Sequence, residues 1–230
     1  MIKFIFGFIF IILIFTGCEE EKKAPLYKKS STQLAIEYLE KGRFYEDKNQ
    51  NRKAMEYFKK SADLNNTTAI YTLGYNYFNG KTTLKDETKG LKYYLKCAKM
   101  DDKYCQYAYG REIYIKNNIS QGLMWMKKSA DNGYVRGMLA LGNHYANRFN
   151  KTEFDISKAI LWYEKAGYKN NVKAIMKLVD IYLQKYLYPQ YYDMKKAKYW
   201  TQKGYNLGSK EAEKKWNRHR MWEKWIILKY

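Results

Sequence analysis

Gly137–Gly167 reads GMLALGNHYANRFNKTEFDISKAILWYEKAG. Its first part sets Leu141-Gly142 ahead of Tyr145, and its second sets Lys158-Ala159 ahead of Trp162. Both patterns recur along the chain. Leu-small-x-x-Tyr returns as Leu34-Ala35…Tyr38 and Leu73-Gly74…Tyr77, with looser copies at Tyr109-Gly110…Ile113 and Leu178-Val179…Tyr182. These anchors at 34, 73, 109, 141 and 178 are spaced by 39, 36, 32 and 37 residues. The second pattern returns as Lys53-Ala54…Tyr57, Lys89-Gly90…Tyr93, Gln121-Gly122…Trp125 and Lys196-Ala197…Trp200. Its aromatic residues are spaced by 36, 32, 37 and 38. Two independent anchors that share one drifting period mark five copies of a structural unit.

Each unit reads as two helices. Ile70, Leu73 and Tyr77 recur at i, i+3 and i+7, a helical stripe. Gly74, Gly110 and Gly142 lie inside such stripes, where a glycine costs about 1 kcal/mol against alanine, so close approach of a neighbouring helix is expected. Asp86, Asn118, Asp155 and Asp193 precede the second helices and are good N-caps, because their side chains accept an orphan amide hydrogen. Gln50 stands at that place in the first copy, and the third copy has a shortened loop between its helices. A lone helix pair cannot bury these faces. Stacked pairs can, with Trp125 or Trp162 plugging between units, and the expected fold is an all-α, right-handed solenoid of antiparallel two-helix repeats.

Composition agrees. The chain has 230 residues, 46% of them hydrophobic, with 25 Tyr, 14 Gly and only 2 Pro. Disorder from low hydrophobicity and collagen-like or proline-rich fibres are excluded. Lys and Arg number 43 against 23 Asp and Glu, a formal net charge of +20 that invites a nucleic-acid reading. The Lys residues are spread through most units, so a solvated basic face is the better reading. No nucleic-acid partner, metal or cofactor is expected. Cys and His lack metal-ligand spacing. Gly74 and Gly80-Lys81-Thr82 imitate a phosphate loop, but five residues separate the glycines where four are needed, and a helix precedes them. Gly80 reads instead as a helix end. His144 reads as a surface or groove residue. Asp63-Leu64-Asn65-Asn66-Thr67 fits a weak bacterial glycosylation sequon.

The amino terminus has its own character. Lys3 is followed by an apolar run from Phe4 to Phe15, then Thr16-Gly17-Cys18 and three Glu. The run is too short for a bilayer span of about 20 residues and has the form of an export signal. It resembles a bacterial lipoprotein signal peptide, with Phe15 where Leu is usual. That resemblance implies a signal over residues 1–17, acylation of Cys18, a membrane partnership through the N-terminal lipid, and export to an envelope site, most naturally the outer membrane on its periplasmic or surface face. Residues 18–32 then read as a flexible tether, 33–208 as the five repeats, and 209–230 as a C-terminal capping helix bearing Trp216, Trp222 and Trp225.

The repeat residues resemble the Sel-one-like repeat family, relatives of tetratricopeptide repeats. The copy from Gly137 through Leu141-Gly142, Tyr145, Asp155, Ala159 and Trp162 to Lys165-Ala166-Gly167 carries the likeness. So does that from Ala69 through Leu73-Gly74, Tyr77, Asp86, Gly90 and Tyr93 to Lys96-Cys97-Ala98. The resemblance implies a non-enzymatic scaffold that binds a protein partner. In related repeats, ligands lie along the first helices on the concave side, which here carries Tyr71, Tyr75, Asn79, Tyr107, Arg111, Asn143, Asn147 and Asp180. Cys97 and Cys105 occupy positions that are small in every other unit (Ser61/Ala69, Ser129/Gly137, Ala166/Ala174, Gly204/Ala212), so they lie close across a turn. A disulfide fits there and matches the arrangement in the secreted cysteine-rich subfamily of these repeats; two buried free thiols are the other reading. Some members of that subfamily are linked to β-lactam binding or hydrolysis. This chain lacks the Ser-x-x-Lys that such chemistry uses, and that enzyme stands as an alternative, beside a basic module that contacts membrane or glycan.

Overall fold

The structure, a computed structural model, describes residues 29–147, 155–219 and 221. The expected signal, Cys18 and most of the tether lie outside these residues. So do Trp222 and Trp225.

Among the described residues the elements are all helical: α1 (Ser31–Asp47), α2 (Asn51–Asp63), α3 (Thr67–Asn79), α4 (Glu87–Lys99), α5 (Lys103–Ile115), α6 (Ile119–Asp131), α7 (Val135–Tyr145), α8 (Ile156–Tyr168), α9 (Val172–Leu183), α10 (Met194–Asn206) and α11 (Lys210–Arg218), with a 3-10 turn at Pro189–Tyr191. They pack in chain order, each helix against the one before and the one after. The fold is the expected α-solenoid, with α1/α2, α3/α4, α5/α6, α7/α8 and α9/α10 as its five units.

Caps fix the boundaries. In α4, α6, α8 and α10 the side chains of Asp86, Asn118, Asp155 and Asp193 accept from the amides of Lys89, Gln121, Lys158 and Lys196. Gln50 makes no such bond. Ser30 and Gln33 close a capping box at the start of α1, so the helix begins at Ser31, two residues before the expected start of the repeats. Each unit leaves its second helix through one residue with φ near +60 to +80°: Asn65, Asp101, Gly133, Asn170 and Gly208. These turn residues are spaced by 36, 32, 37 and 38, the same period as the aromatic anchors. The left-handed region is sterically open to Gly and tolerated by Asn and Asp, which gives Asn65 a structural reason apart from any sequon.

Glycine sets the helix spacing. A Cβ on Gly90 would fall 2.8 Å from the Phe78 backbone nitrogen and 2.9 Å from the Gly74 carbonyl oxygen. One on Gly122 would fall 2.7 Å from Tyr114 backbone atoms. Gly80 ends α3 in the left-handed conformation, and Lys81 pairs with Glu46, so the apparent phosphate loop is a helix terminus.

One finding departs from the sequence reading. His144 is buried, not on the surface or in a groove: its Nδ1 lies 2.9 Å from the Tyr114 hydroxyl. α11 runs from Lys210 to Arg218 with His219 as its cap, and residues 222–230 of the expected capping helix lie outside the described residues. Its Ala212 and the following Met221 are buried with α9 and α10, and Trp216 packs at their edge, so this short helix covers the end of the last unit.

Candidate functional site

The first helices α3, α5 and α7 present the candidate site. Tyr75 and Arg111 hold the same repeat position, as do Tyr71 and Tyr107 one turn earlier. The four lie on the neighbouring first helices α3 and α5. Tyr71 is half-buried, its ring 5.6 Å from that of Tyr94 on α4. Tyr75 and Arg111 are exposed. Burial pushes the Tyr71 phenol above its ordinary range, while the charges of Arg111 and Arg136 oppose that rise. Burial also raises the Tyr94 phenol beneath. Both tyrosines therefore stay neutral donors.

Arg111 is held from below. Its Nε donates to Glu112 Oε1 at 2.7 Å and Nη2 donates to the same oxygen. The Glu112 side chain is only 8% exposed, whereas that of Arg111 is 54% exposed. A buried carboxylate thus orients a guanidinium that still faces solvent. On the far side, Tyr134, the residue that caps α7, is met edge-on by Tyr104 at 5.0 Å and by Tyr107 at 5.4 Å.

The other expected groove residues are engaged elsewhere. Asn79 donates to the Tyr75 carbonyl at 2.9 Å, at the end of α3. Asn143 accepts from the Tyr163 hydroxyl at 2.8 Å. Asp180 pairs with Lys215 of α11. Asn147 is exposed just past α7. The aromatic and arginine residues of the expected groove are concentrated in the second to fourth units. Tyr104, Glu112, Tyr134 and Arg136 belong to it and were not anticipated. Tyr104 and Arg136 share a repeat position one turn before Tyr107, so the stripe extends toward the helix starts by one step that the period already contained.

Cys97 and Cys105 are joined, with Cα atoms 5.7 Å apart, and the bridge ties α4 to α5 across the turn between two units. The equivalent small residues meet in other units too: a Cβ on Gly204 would lie 3.0 Å from the Ala212 Cβ. The bond secures the seam between the unit that carries Tyr71 and the unit that carries Arg111. Among the described residues no group of three His, Cys, Asp or Glu is placed to hold a metal.

The Sel1 repeat pattern matches residues 28–66, 67–102, 103–134, 135–171 and 186–209. The first helix of the fifth unit falls between the last two matches yet forms as α9. Among solved structures, the chain is similar to a Sel1 repeat protein from Oxalobacter formigenes, at 23% identity and a TM-score of 0.67, over 79% of this chain and 76% of that one. It is also similar to c5321, a protective antigen present in uropathogenic Escherichia coli strains displaying an SLR fold, at 24% identity and a TM-score of 0.68. That match covers 80% of this chain and 42% of c5321, so this chain spans less than half of that protein. Pseudomonas aeruginosa PA5086 is similar at 21% identity and a TM-score of 0.51, over 77% of this chain and 67% of that one. At these identities the likeness is one of fold. No curated protein sequence matches the chain.

Proposed function

We propose, from the premise that this chain belongs to the Sel1 repeat family, that it is a non-enzymatic scaffold holding a protein partner on the first-helix face of its second to fourth units. Proteins of this family generally serve protein–protein interaction. The observation that carries the reading is the solvent-facing Arg111 held to the buried Glu112, one helical turn from Tyr107 on α5. Tyr and Arg are the side chains most enriched at binding hot spots, and a pre-oriented arginine loses less freedom on contact. The amino-terminal sequence supplies a location: with Cys18 acylated, the scaffold sits on an envelope membrane, in the outer membrane by our reading, its solenoid displayed on one face.

A photo-crosslinking residue placed at position 75 in the native host tests the site. It is expected to give one discrete adduct, lost when Arg111→Ala is added, with the melting temperature unchanged. The same probe at position 92, on the opposite layer, is expected to give none. Equal adducts from both positions would overturn the groove. Mass spectrometry of the envelope protein tests the anchor: a diacyl or triacyl modification on Cys18 is expected, and an unmodified mature chain refutes it.

A further inference from the structure

The second helices form a different surface, and it holds most of the charge. α2, α4, α6, α8 and α10 carry 16 Lys and Arg against 5 Asp and Glu, whereas α1, α3, α5, α7 and α9 carry 7 against 6. The capping Asp86, Asp155 and Asp193 add negative charge only at one end of the second helices. The outer layer stays strongly basic.

That charge is ordered. One lysine column, three residues past each aromatic anchor, is complete: Lys60, Lys96, Lys128, Lys165 and Lys203. A second, four residues before each anchor, runs Lys53, Lys89, Lys158 and Lys196, with Gln121 in the third unit. Between them on the solvent side lies one further position per unit. It is Glu56 in the first unit and Lys92 in the second, then Met124, Leu161 and Tyr199. These three are 45%, 49% and 52% exposed. Each lies four residues before a lysine of the first column and three after the second, so Leu161 and Tyr199 are flanked by two lysines on the same face and Met124 by Gln121 and Lys128. The units are packed side by side, with the Tyr168 ring at the end of α8 lying 5.0 Å from the Trp200 ring of α10. The three apolar side chains therefore run as a ridge of roughly 20 Å, two interhelix steps of about 10 Å each. At the carboxy-terminal end a cleft of about 440 Å³ between Lys198, Tyr199, Lys203, Leu207 and Trp216 continues the same chemistry.

We infer that the outer face of the third to fifth units is a peripheral contact surface for an anionic phospholipid bilayer. Exposed apolar side chains beside an unbroken lysine row are the pattern of an interfacial contact: the ridge enters the headgroup boundary while the long stems of Lys128, Lys165 and Lys203 reach phosphate. Each lysine near an anionic surface adds about 1 kcal/mol of attraction. An acidic protein partner would also meet the charge, but the first lysine column is the same in all five units, a repeat that suits a uniform anionic surface better than pairing with one particular partner. The surface lies on the layer away from the Tyr71–Arg111 patch and stands without it.

Co-sedimentation of the full chain with vesicles decides the matter. The readout is the ratio of binding to phosphatidylcholine vesicles with and without a third of phosphatidylglycerol. The apolar amino terminus is common to every variant and cancels in that ratio. The ratio is expected to be about tenfold or more at low salt, as several lysines acting together require. M124E/L161E/Y199E is expected to remove it with the melting temperature and the position-75 crosslink unchanged. M124S/L161S/Y199S, which adds no charge, is expected to lower anionic binding several-fold. A wild-type ratio near one overturns the inference, and so does a serine triple variant that binds as the wild type does, because the attraction would then be charge without insertion. Binding of the wild type to an acidic protein but to neither vesicle assigns the face to a protein and overturns it equally.

Discussion

Asn76 is fully buried on α3, with Nδ2 3.6 Å from the Met55 sulfur and Oδ1 without a partner. The same repeat position is Glu112 in the third unit, His144 in the fourth and Ile181 in the fifth. Glu112 and His144 are satisfied by Arg111 and Tyr114, and Ile181 needs no partner. An orphaned buried acceptor costs about 1–3 kcal/mol. Asn76→Leu is therefore expected to raise the melting temperature by about 2–4 °C per kcal/mol recovered in a chain of this size, read by calorimetry; a fall would show that the amide is bonded. Asp155 gives a pH test. Its carboxyl is lowered to about 2 from an ordinary 3.8, first by the Ser157 hydroxyl and then by the Lys158 amide. A lowered folded-state value means that the stabilisation is present above the ordinary value and is lost as pH falls through about 2. Asp155→Ala is expected to lower the melting temperature at pH 5, with the difference from wild type closing as pH falls from about 4 toward 2. A constant difference would place the effect outside the carboxylate. His144 shows how residue type misleads. Leu141, His144 and Tyr145 follow i, i+3 and i+4, a buried spacing. A histidine there stays inside because a tyrosine hydroxyl meets it.

At the scale of elements, glycine and lysine do work that composition hides. Gly90 and Gly74 let α3 and α4 touch through backbone atoms. Alanine is the better helix former by about 1 kcal/mol, yet Gly90→Ala is expected to destabilise by about 1–3 kcal/mol, because its methyl meets backbone that cannot step aside. Chemical denaturation reads the sign directly. Lysines cross between helices. Lys53, Lys89, Lys158 and Lys196 each sit over the tyrosine ending the preceding helix, at 5.2, 4.2, 5.5 and 5.3 Å from Tyr45, Tyr77, Tyr145 and Tyr182. Lys128 and Lys165 sit 4.6 and 4.2 Å over Trp125 and Trp162 in their own helices. Such contacts contribute about 0.5–1 kcal/mol each at exposed sites. The sequence shows a Lys-rich, Tyr-rich chain; the packing shows that many of the two are partners, so the basic face is not merely solvated.

For the whole molecule, the charge divides between the two helix layers, and the outer layer repels itself. Its lysines stand in columns one unit apart, within reach of one another once the screening length exceeds that spacing. The melting temperature is expected to rise as the Debye length shortens from about 30 Å at low salt to about 8 Å at physiological salt. A fall would mean that exposed pairs such as Lys81–Glu46 and Lys127–Asp131 outweigh the repulsion. The disulfide closes a short loop, one of eight residues' separation. In the chain-entropy view a short loop contributes below the roughly 3 kcal/mol of a 15-residue one. Its place is more telling than its strength, since it fixes the seam where the Tyr71 and Arg111 units meet.

The period, the caps and the aromatic anchors determined the solenoid without tertiary information, because each repeat must bury the same face against the next and that demand is written in spacing. The proximity of Cys97 and Cys105 followed for the same reason: equivalent small positions in every unit imply one close turn. The left-handed turn residues were equally periodic, but Asn, Asp and Gly share that role, so no single letter announced it. What only the tertiary structure decided is which side chains are available. Tyr75 and Arg111 stand exposed and Arg111 is held by the buried Glu112, while Asn143 and Asp180 meet Tyr163 and Lys215. Those partners lie 20 and 35 residues away in sequence. A repeat pattern places a residue on a face; only packing between units settles what it meets there.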